Sequence, residues 1–108
     1  MAKYLFMASY TPEGMKGLIA EGGTGRRALI KHLTQELGGE LEVFYYAFGD
    51  ADVYAIVDFP DGITAAAVTL AINQTGAVNV KATVLLTAED VDDAAQLTVK
   101  YRPPGAHG

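Results

Sequence analysis

The residues best suited to chemistry in this chain include an arginine pair, Arg26 and Arg27, that follows the glycine-rich stretch EGGTG. Guanidinium groups at a helix start can bind a carboxylate or a phosphate, helped by backbone N–H groups that have no partner within the helix. The same arginines are equally suited to an ion pair with Asp50, Asp52 or Asp61, or with a partner chain. Both interpretations stay open at the level of sequence.

Helical spacing separates the two arginines. Leu29, Leu33 and Leu37 recur on one face of the predicted helix, and Arg26 lies in line with them, one turn nearer its start. Arg27 falls on the outer side. We therefore predict that Arg26 is the arginine that closes over a small ligand.

A second group of candidate residues comes from predicted strands whose side chains alternate between two faces. This alternation predicts one shared polar patch on the face away from the helices. The members are Tyr46, Tyr54, Asp58, Asn79 and Lys81. A pair of Lys81 with Asp58 could perform acid–base work or hold a polar substrate, while the tyrosines donate hydrogen bonds to an oxyanion. A structural ion pair with interface packing is the alternative interpretation.

Neither a metal nor any other cofactor is predicted. His32 and Glu36 are one helical turn apart, which provides only two of the ligands that a metal site needs, and His107 lies in the C-terminal tail. The acidic run over 89–93 lacks the spacing of a calcium loop and instead suits the first turn of a helix. The sequence contains no cysteine, so thiolate ligands, thiol nucleophiles and disulfides are excluded.

Length and composition predict one folded domain over residues 1–100, followed by an extended tail over 101–108 that begins with Tyr101 and holds two prolines. Half of the residues are apolar and 19% are charged, which excludes a disordered chain. This apolar fraction is large for so small a domain. We therefore expect part of the surface to be buried in an interface.

The net charge of −5 is divided unevenly along the chain. Residues 1–35 hold five basic and two acidic side chains, a formal charge of +3, and residues 36–108 hold three basic and eleven acidic ones, a formal charge of −8. This balance and the lack of a known nucleic-acid motif argue against a nucleic-acid partner. No signal peptide or membrane span is visible, so we expect a cytoplasmic protein that does not bind membranes.

The order of predicted elements indicates an α+β fold. The elements are a strand over 3–10, a turn over 11–14, a helix that Thr24 caps and Gly38-Gly39 end, strands over 40–48 and 52–59, a largely buried helix over 64–75, a strand over 77–86 and a helix that Thr87 caps. This is the ferredoxin-like βαββαβ arrangement, an antiparallel four-stranded sheet with helices on one face, with an extra C-terminal helix.

Both faces of the predicted sheet are apolar. The first strand has Tyr4 and Phe6 on one side and Leu5 and Met7 on the other. The next strand divides its side chains as Phe44, Tyr46 and Phe48 against Leu41, Val43 and Tyr45. Because helices cover only one face, we expect a second copy to cover the other, giving a homodimer whose two sheets form a face-to-face barrel.

Four stretches carry a resemblance to a known family. They are KYLFMASYTPEG, EGGTGRRALI, GDADVYAIVDFPD and TGAVNVKATVLLT. In these stretches and their order the chain resembles the GYD-domain family of small bacterial proteins, within the dimeric α/β-barrel superfamily. The stretch that matches the family's Gly-Tyr-Asp pattern keeps Gly49 and Asp52, has Ala51 in place of the tyrosine, and has Tyr54 two residues further on.

The resemblance implies the fold and a tendency to dimerise, whereas the family has no settled activity. The wider superfamily includes cofactor-independent monooxygenases, isomerases, haem-binding enzymes and small-ligand regulatory domains. Our first hypothesis is a homo-oligomer that binds a small anionic or aromatic molecule in a cavity on the sheet face. The alternatives are an enzyme resembling the monooxygenases or isomerases, with Lys81, Asp58 and the tyrosines as proton handlers, or a structural component of a larger assembly.

Overall fold

A computed structural model describes residues 2–105 of the chain. Within that range the chain forms four strands and four helices. They are β1 (Ala2–Tyr10), α1 (Pro12–Glu21), α2 (Gly23–Glu36), β2 (Glu40–Tyr46), β3 (Val53–Phe59), α3 (Gly62–Asn73), β4 (Val78–Leu85) and α4 (Ala88–Gln96).

The strands form one sheet in the order β2-β3-β1-β4, and every neighbouring pair is antiparallel. The helices α1 and α2 together connect β1 to β2, and α3 connects β3 to β4. This confirms the predicted α+β, ferredoxin-like fold with an additional C-terminal helix. The first crossover holds two helices where the sequence predicted one.

The predicted turn over residues 11–14 is in fact the beginning of α1. Thr11 is its N-cap, with a side-chain oxygen that accepts a hydrogen bond from the Gly14 N–H, and Pro12 takes the first helical position, where a missing N–H costs nothing. The prediction that Thr24 caps the next helix is wrong. Gly22 occupies the cap with a φ of +85°, a conformation that favours glycine, and Thr24 lies inside α2.

The other element ends follow local chemistry closely. Gly38, with a φ of +78°, lies just beyond the end of α2, as the glycine pair predicted. The Asp61 carboxylate accepts a hydrogen bond from the Thr64 N–H at 2.8 Å, so α3 begins two residues earlier than expected. The predicted cap at Thr87 is confirmed as a capping box with Asp90.

A β-bulge between Leu41 and Val43 changes which residues of β2 face the helices. Leu41 lies opposite Val57, and it packs against the buried core together with Phe44. The prediction that Leu41 shares a face with Val43 and Tyr45 is therefore wrong. An extra residue in one strand reverses the alternation, and nothing in the local pattern announces it.

The hydrophobic core lies between the sheet and the helices. Its buried members are Tyr4, Phe6, Ala55, Val57, Phe59, Ala65, Val68 and Val80. Phe59 is the largest side chain that is almost fully buried, and its ring contacts those of Tyr4 and Phe6 at centroid distances of 6.3 and 6.0 Å. Burying a side chain of this size stabilises the fold by about 1.5–3 kcal/mol.

Two predicted helices are more exposed than their composition suggests. The α3 helix buries Ala65 and Val68, but Ile63 and Leu70 on its outer side are mostly exposed, so the prediction of a largely buried helix is wrong for the single chain. The α4 helix buries no residue. Residues 97–105 form neither helix nor strand, in keeping with an extended tail, whereas the final residues of the predicted tail, His107 included, lie outside the described residues.

Candidate functional site

An apolar cavity lies between the helix layer and the sheet, with a volume of about 80 Å³. Its wall is formed by aromatic and aliphatic side chains of the core, including Phe6, Phe44, Ala55 and Val68. Tyr10 and Arg26 also contribute to the lining. This cavity is on the helix-covered side of the sheet, whereas the sequence placed the ligand site on the opposite face.

Arg26 borders this cavity together with Ile30 and Leu33, whereas Leu29 and Leu37 of the predicted stripe are exposed. Its guanidinium Nη1 lies 3.3 Å from Oε2 of Glu21, at the end of α1. The expected pairing with a more distant aspartate is replaced by this local one. Asp52 instead accepts a hydrogen bond from the Tyr10 N–H at 2.8 Å, and Asp61 caps α3.

Tyr46 lies on the helix side of the sheet, so its predicted place beside Tyr54 is wrong. Its hydroxyl donates a hydrogen bond to the Gly23 carbonyl oxygen at 3.0 Å, and its ring stacks on Phe48 with centroids 5.9 Å apart. Burial raises the pKa of Tyr46, and the neighbouring Tyr10 hydroxyl acts in the same direction. The hydroxyl therefore remains a neutral hydrogen-bond donor near the start of α2.

The remaining predicted residues do share the open face of the sheet, but the register divides them. Lys81 lies opposite Met7, which lies opposite Tyr54, so these three residues form one row across the sheet. Asp58 belongs to another row, opposite Lys3. Four residues along β3 separate the rows, about 13 Å at 3.3 Å per residue. The predicted pair of Lys81 with Asp58 is therefore wrong within the chain.

Lys3 is the residue that the sequence interpretation missed. Its ammonium nitrogen lies 3.2 Å from Oδ1 of Asp58 and also contacts the Glu42 carboxylate. The Glu42 carboxyl and the Lys3 ammonium hold the pKa of Asp58 below its ordinary value, and Glu42 and Asp58 together raise the pKa of Lys3. A lysine inside an otherwise apolar strand, alternating in phase with Leu5 and Met7, was the signal available in the sequence.

A wider surface groove runs between α2 and the edge strand β2, and we call it the α2–β2 groove. Its volume is about 580 Å³, and its lining combines apolar side chains with the basic Arg27 and Lys31 and with the acidic Glu42, which is paired with Lys3. Its lining includes Arg27, Ala28, Lys31, Val43 and Tyr45. In the part of the chain that the structure describes, neither Arg27 nor Lys31 takes part in an ion pair.

His32 and Glu36 form an exposed pair on α2, with Nε2 and Oε1 2.9 Å apart. Between residues 2 and 105, no three histidine, cysteine, aspartate or glutamate side chains are grouped so as to hold a metal ion. Nor does that range contain a helix with the length and apolar character needed to cross a membrane.

A family model for the GYD domain matches residues 4–95. The chain belongs to the GYD-domain family. The match extends from β1 into α4, so it includes both faces of the sheet. Searches of curated proteins and of solved structures found no match.

Two residues of the stretch that resembles the family's naming pattern have structural contacts in this GYD domain. Ala51, in place of the expected tyrosine, is buried, with 7% of its surface exposed. The Asp52 carboxylate binds the backbone of Tyr10, while the Asp52 N–H donates to the Ala8 carbonyl oxygen at 2.8 Å. Asp52 thus links the β2–β3 connection to β1 through two hydrogen bonds.

The candidate residues of the GYD domain therefore belong to two regions. Arg26 and Tyr46 are near the covered cavity, where a guanidinium beside apolar walls suits an anion with an apolar body. Asp58, Asn79, Lys81 and Tyr54 are on the open face, where Asp58 is already paired with Lys3. The open face therefore does not bring Lys81 and Asp58 together within the chain, as the enzyme hypothesis expected.

Proposed function

We propose that this GYD-domain protein is a homo-oligomer that binds a small anionic molecule, a short aliphatic carboxylate, in the cavity between its helices and its sheet. The observation that supports this is the apolar cavity of about 80 Å³ with Arg26 in its lining. The apolar wall would take the hydrocarbon chain, and the guanidinium would take the carboxylate.

Cavity size favours a short aliphatic chain over an aromatic ring. A cavity of about 150 Å³ lined by apolar side chains holds benzene, and the cavity here is roughly half that volume. Buried apolar atoms still contribute to affinity, at about 0.8 kcal/mol for each methylene group. Affinity should therefore rise with chain length and then fall once the chain no longer fits.

The local ion pair of Arg26 is compatible with ligand binding. Glu21 is more than half exposed, and an exposed ion pair contributes at most about 1 kcal/mol. An incoming carboxylate can therefore replace Glu21 at little cost. A two-pronged hydrogen bond to arginine would then fix its orientation.

The open face supports the homo-oligomeric part of the proposal. Leu5, Met7 and Ile56 lie together on it, in adjacent strands, and no helix in the described range of the chain covers them. Exposing such an apolar surface to water is unfavourable, and the same face of a second copy would bury it symmetrically. Asp58 and Lys3 would then lie near the rim of the shared interface.

The ligand proposal predicts saturable binding of straight-chain carboxylates, tested from propanoate to hexanoate by isothermal titration calorimetry. Replacing the guanidinium in Arg26→Gln should weaken binding about tenfold or more, since a hydrogen bond to a charged group contributes about 1.5–3 kcal/mol. Arg27→Gln is the matched control, because Arg27 is adjacent in sequence but lines the α2–β2 groove instead.

Two further measurements make the result specific to the cavity. Ala55→Val adds volume to a cavity-lining residue that is 4% exposed, so the filled variant should remain folded and lose binding. 1-Butanol, which has no charge, should bind wild type and Arg26→Gln alike. Equal weakening by the Arg26 and Arg27 variants, or no saturation with any carboxylate, would contradict the proposal.

A further inference from the structure

The C-terminal arm, residues 86–105, is the least packed part of the described chain. Its large apolar side chains are all more than half exposed. They are Leu86, Val91, Leu97, Val99 and Tyr101. Exposing so many apolar side chains to water is unfavourable, so we expect this arm to pack against another surface.

The dimensions of the molecule show that the arm projects from the body. The radius of gyration is 17.5 Å and the longest extent is 61 Å, against 31 and 23 Å in the other directions. A compact domain of about 100 residues has a radius of gyration of about 13 Å. The arm therefore reaches beyond the surface of its own domain.

Charge and shape on α4 match the α2–β2 groove. Ala88, Val91 and Ala95 fall on one side of α4 at helical spacing, and Asp92 borders this apolar stripe. The groove offers apolar Val43 and Tyr45 beside the basic side chains Arg27 and Lys31. The acidic, amphipathic α4 is thus complementary to a groove that has apolar walls and two cations without an ion-pair partner in the described structure.

The topology keeps the arm away from the groove of its own chain. The arm follows β4, at one edge of the sheet, whereas the groove borders β2, at the other edge. Three strand spacings of about 4.8 Å separate the two edges. A two-fold axis parallel to the strands, between two sheets packed face to face, brings the β4 edge of one copy beside the β2 edge of the other.

We propose that α4 of each copy docks into the α2–β2 groove of a second copy of this chain. The exchange is reciprocal, so each dimer contains two such contacts. The inference rests on the homo-oligomer proposed above and adds its contact residues. It does not depend on the carboxylate site, because Arg26 borders the internal cavity and Arg27 the groove.

Disulfide cross-linking tests the docking directly, since the sequence contains no cysteine and only introduced thiols can react. In the full chain carrying Val91→Cys and Ala28→Cys, mild oxidation should give a covalent species of twice the chain mass on a non-reducing gel. Ala28 is an exposed helix residue in the groove, so the substitution should not disturb folding. Val91→Cys alone measures linking of the two arms to each other.

A matched pair places the second thiol elsewhere. Val91→Cys with Ala66→Cys puts it on the exposed side of α3 and should give no covalent dimer above the single-variant level. Stronger linking at Ala66 than at Ala28, or a link within one chain, would overturn the proposed docking. Sedimentation of the wild-type chain separates the two levels of failure: a dimer without the 28–91 link overturns only the arm contact, whereas a monomer overturns the dimer as well.

Charge reversal tests the same contact without a covalent bond. Asp92→Lys should raise the dimer dissociation constant about tenfold, and Arg27→Glu with Lys31→Glu should restore much of the loss when combined with it. Asp93→Lys is the control, because Asp93 falls away from the apolar stripe at helical spacing. Equal effects of Asp92→Lys and Asp93→Lys, or no rescue, would contradict the charge pairing.

Discussion

The two faces of one sheet differ sharply in this protein, although the same strands supply both. In β3, Val57 and Phe59 point to the helices and are 3% and 2% exposed, whereas their neighbours Ile56 and Asp58 point to the open face and stay partly exposed. One face is completed within the chain. The other has apolar side chains that no helix of residues 2–105 covers.

This difference shows how the candidate residues divide. The covered face contains the internal cavity with Arg26, so the chain itself determines the shape of that site. The open face carries Lys81 and Tyr54 without a wall opposite them. Any site there would require groups from a second copy.

The largest expected effect comes from truncating one residue on each face. Phe59→Ala should lower the free energy of unfolding by about 3–5 kcal/mol, because it leaves a cavity in the packed core. Ile56→Ala should cost less and should depend on protein concentration, because its contacts would be made in the dimer. Urea denaturation at two protein concentrations measures both. Equal and concentration-independent losses would remove the distinction between the faces.

An intermediate effect is expected where α1 packs onto the sheet end. A Cβ atom at Gly14 would lie 1.9 Å from the Ala77 carbonyl oxygen, so Gly14→Ala must displace backbone and should cost about 1–3 kcal/mol. Gly17, in the same helix, has open space around it. Gly17→Ala should raise stability by about 0.5–1 kcal/mol. Thermal unfolding compares the pair, and similar shifts for both would show that packing against Ala77 is unimportant.

The smallest effect concerns the charges of the open face. Because the pKa of Asp58 is lowered in the folded protein, the stabilisation from its contacts is fully present above pH 3.8, its ordinary pKa. This stabilisation is lost as the pH falls through the lower pKa of the folded state. Because the pKa of Lys3 is raised in the folded protein, the stabilisation from its contacts is fully present below pH 10.5, its ordinary pKa. This stabilisation is lost as the pH rises through the higher pKa of the folded state. The difference in the free energy of unfolding between wild type and Lys3→Met should therefore be constant between pH 3.8 and pH 10.5 and become smaller outside this range.

Lys81→Met is the control for this pH profile. Lys81 is on the same face, but it belongs to none of the ion pairs found in residues 2–105. The difference in the free energy of unfolding between wild type and Lys81→Met should not become smaller at low pH. If both variants follow the same curve in chemical denaturation across pH, the Lys3 contacts do not account for it.

Much of the fold could be predicted because local patterns and long-range packing agree. The strand at β4 and the helix end at the glycine pair after α2 are both confirmed, whereas the predicted alternation of burial in β4 holds only as far as Val80, because Val84 is 60% exposed. The helix N-cap at Thr87 could also be predicted, because acidic residues follow it in the first turn. Family membership, shown by the match over residues 4–95, agrees with the same order of elements.

The site was harder to predict because it depends on register. Tyr46 was assigned to the wrong face, since the bulge before Val43 reverses the alternation of β2. Lys81 was paired with Asp58 on the strength of charge alone, but the register puts Lys3 opposite Asp58. Arg26 was placed in a stripe with Leu29 and Leu37, but both leucines are exposed, and Arg26 lines the cavity with Ile30 and Leu33 instead.

The sequence by itself determined the order of the strands, the fold class and the apolar character of both sheet faces, because each depends on spacing within a short segment. The tertiary structure decided that Arg26 borders a small covered cavity, that Lys3 rather than Lys81 binds Asp58, and that α4 projects with its apolar stripe exposed. These features depend on strand register and on the distance between segments far apart in the chain. Such distances are set by packing, which no short segment encodes.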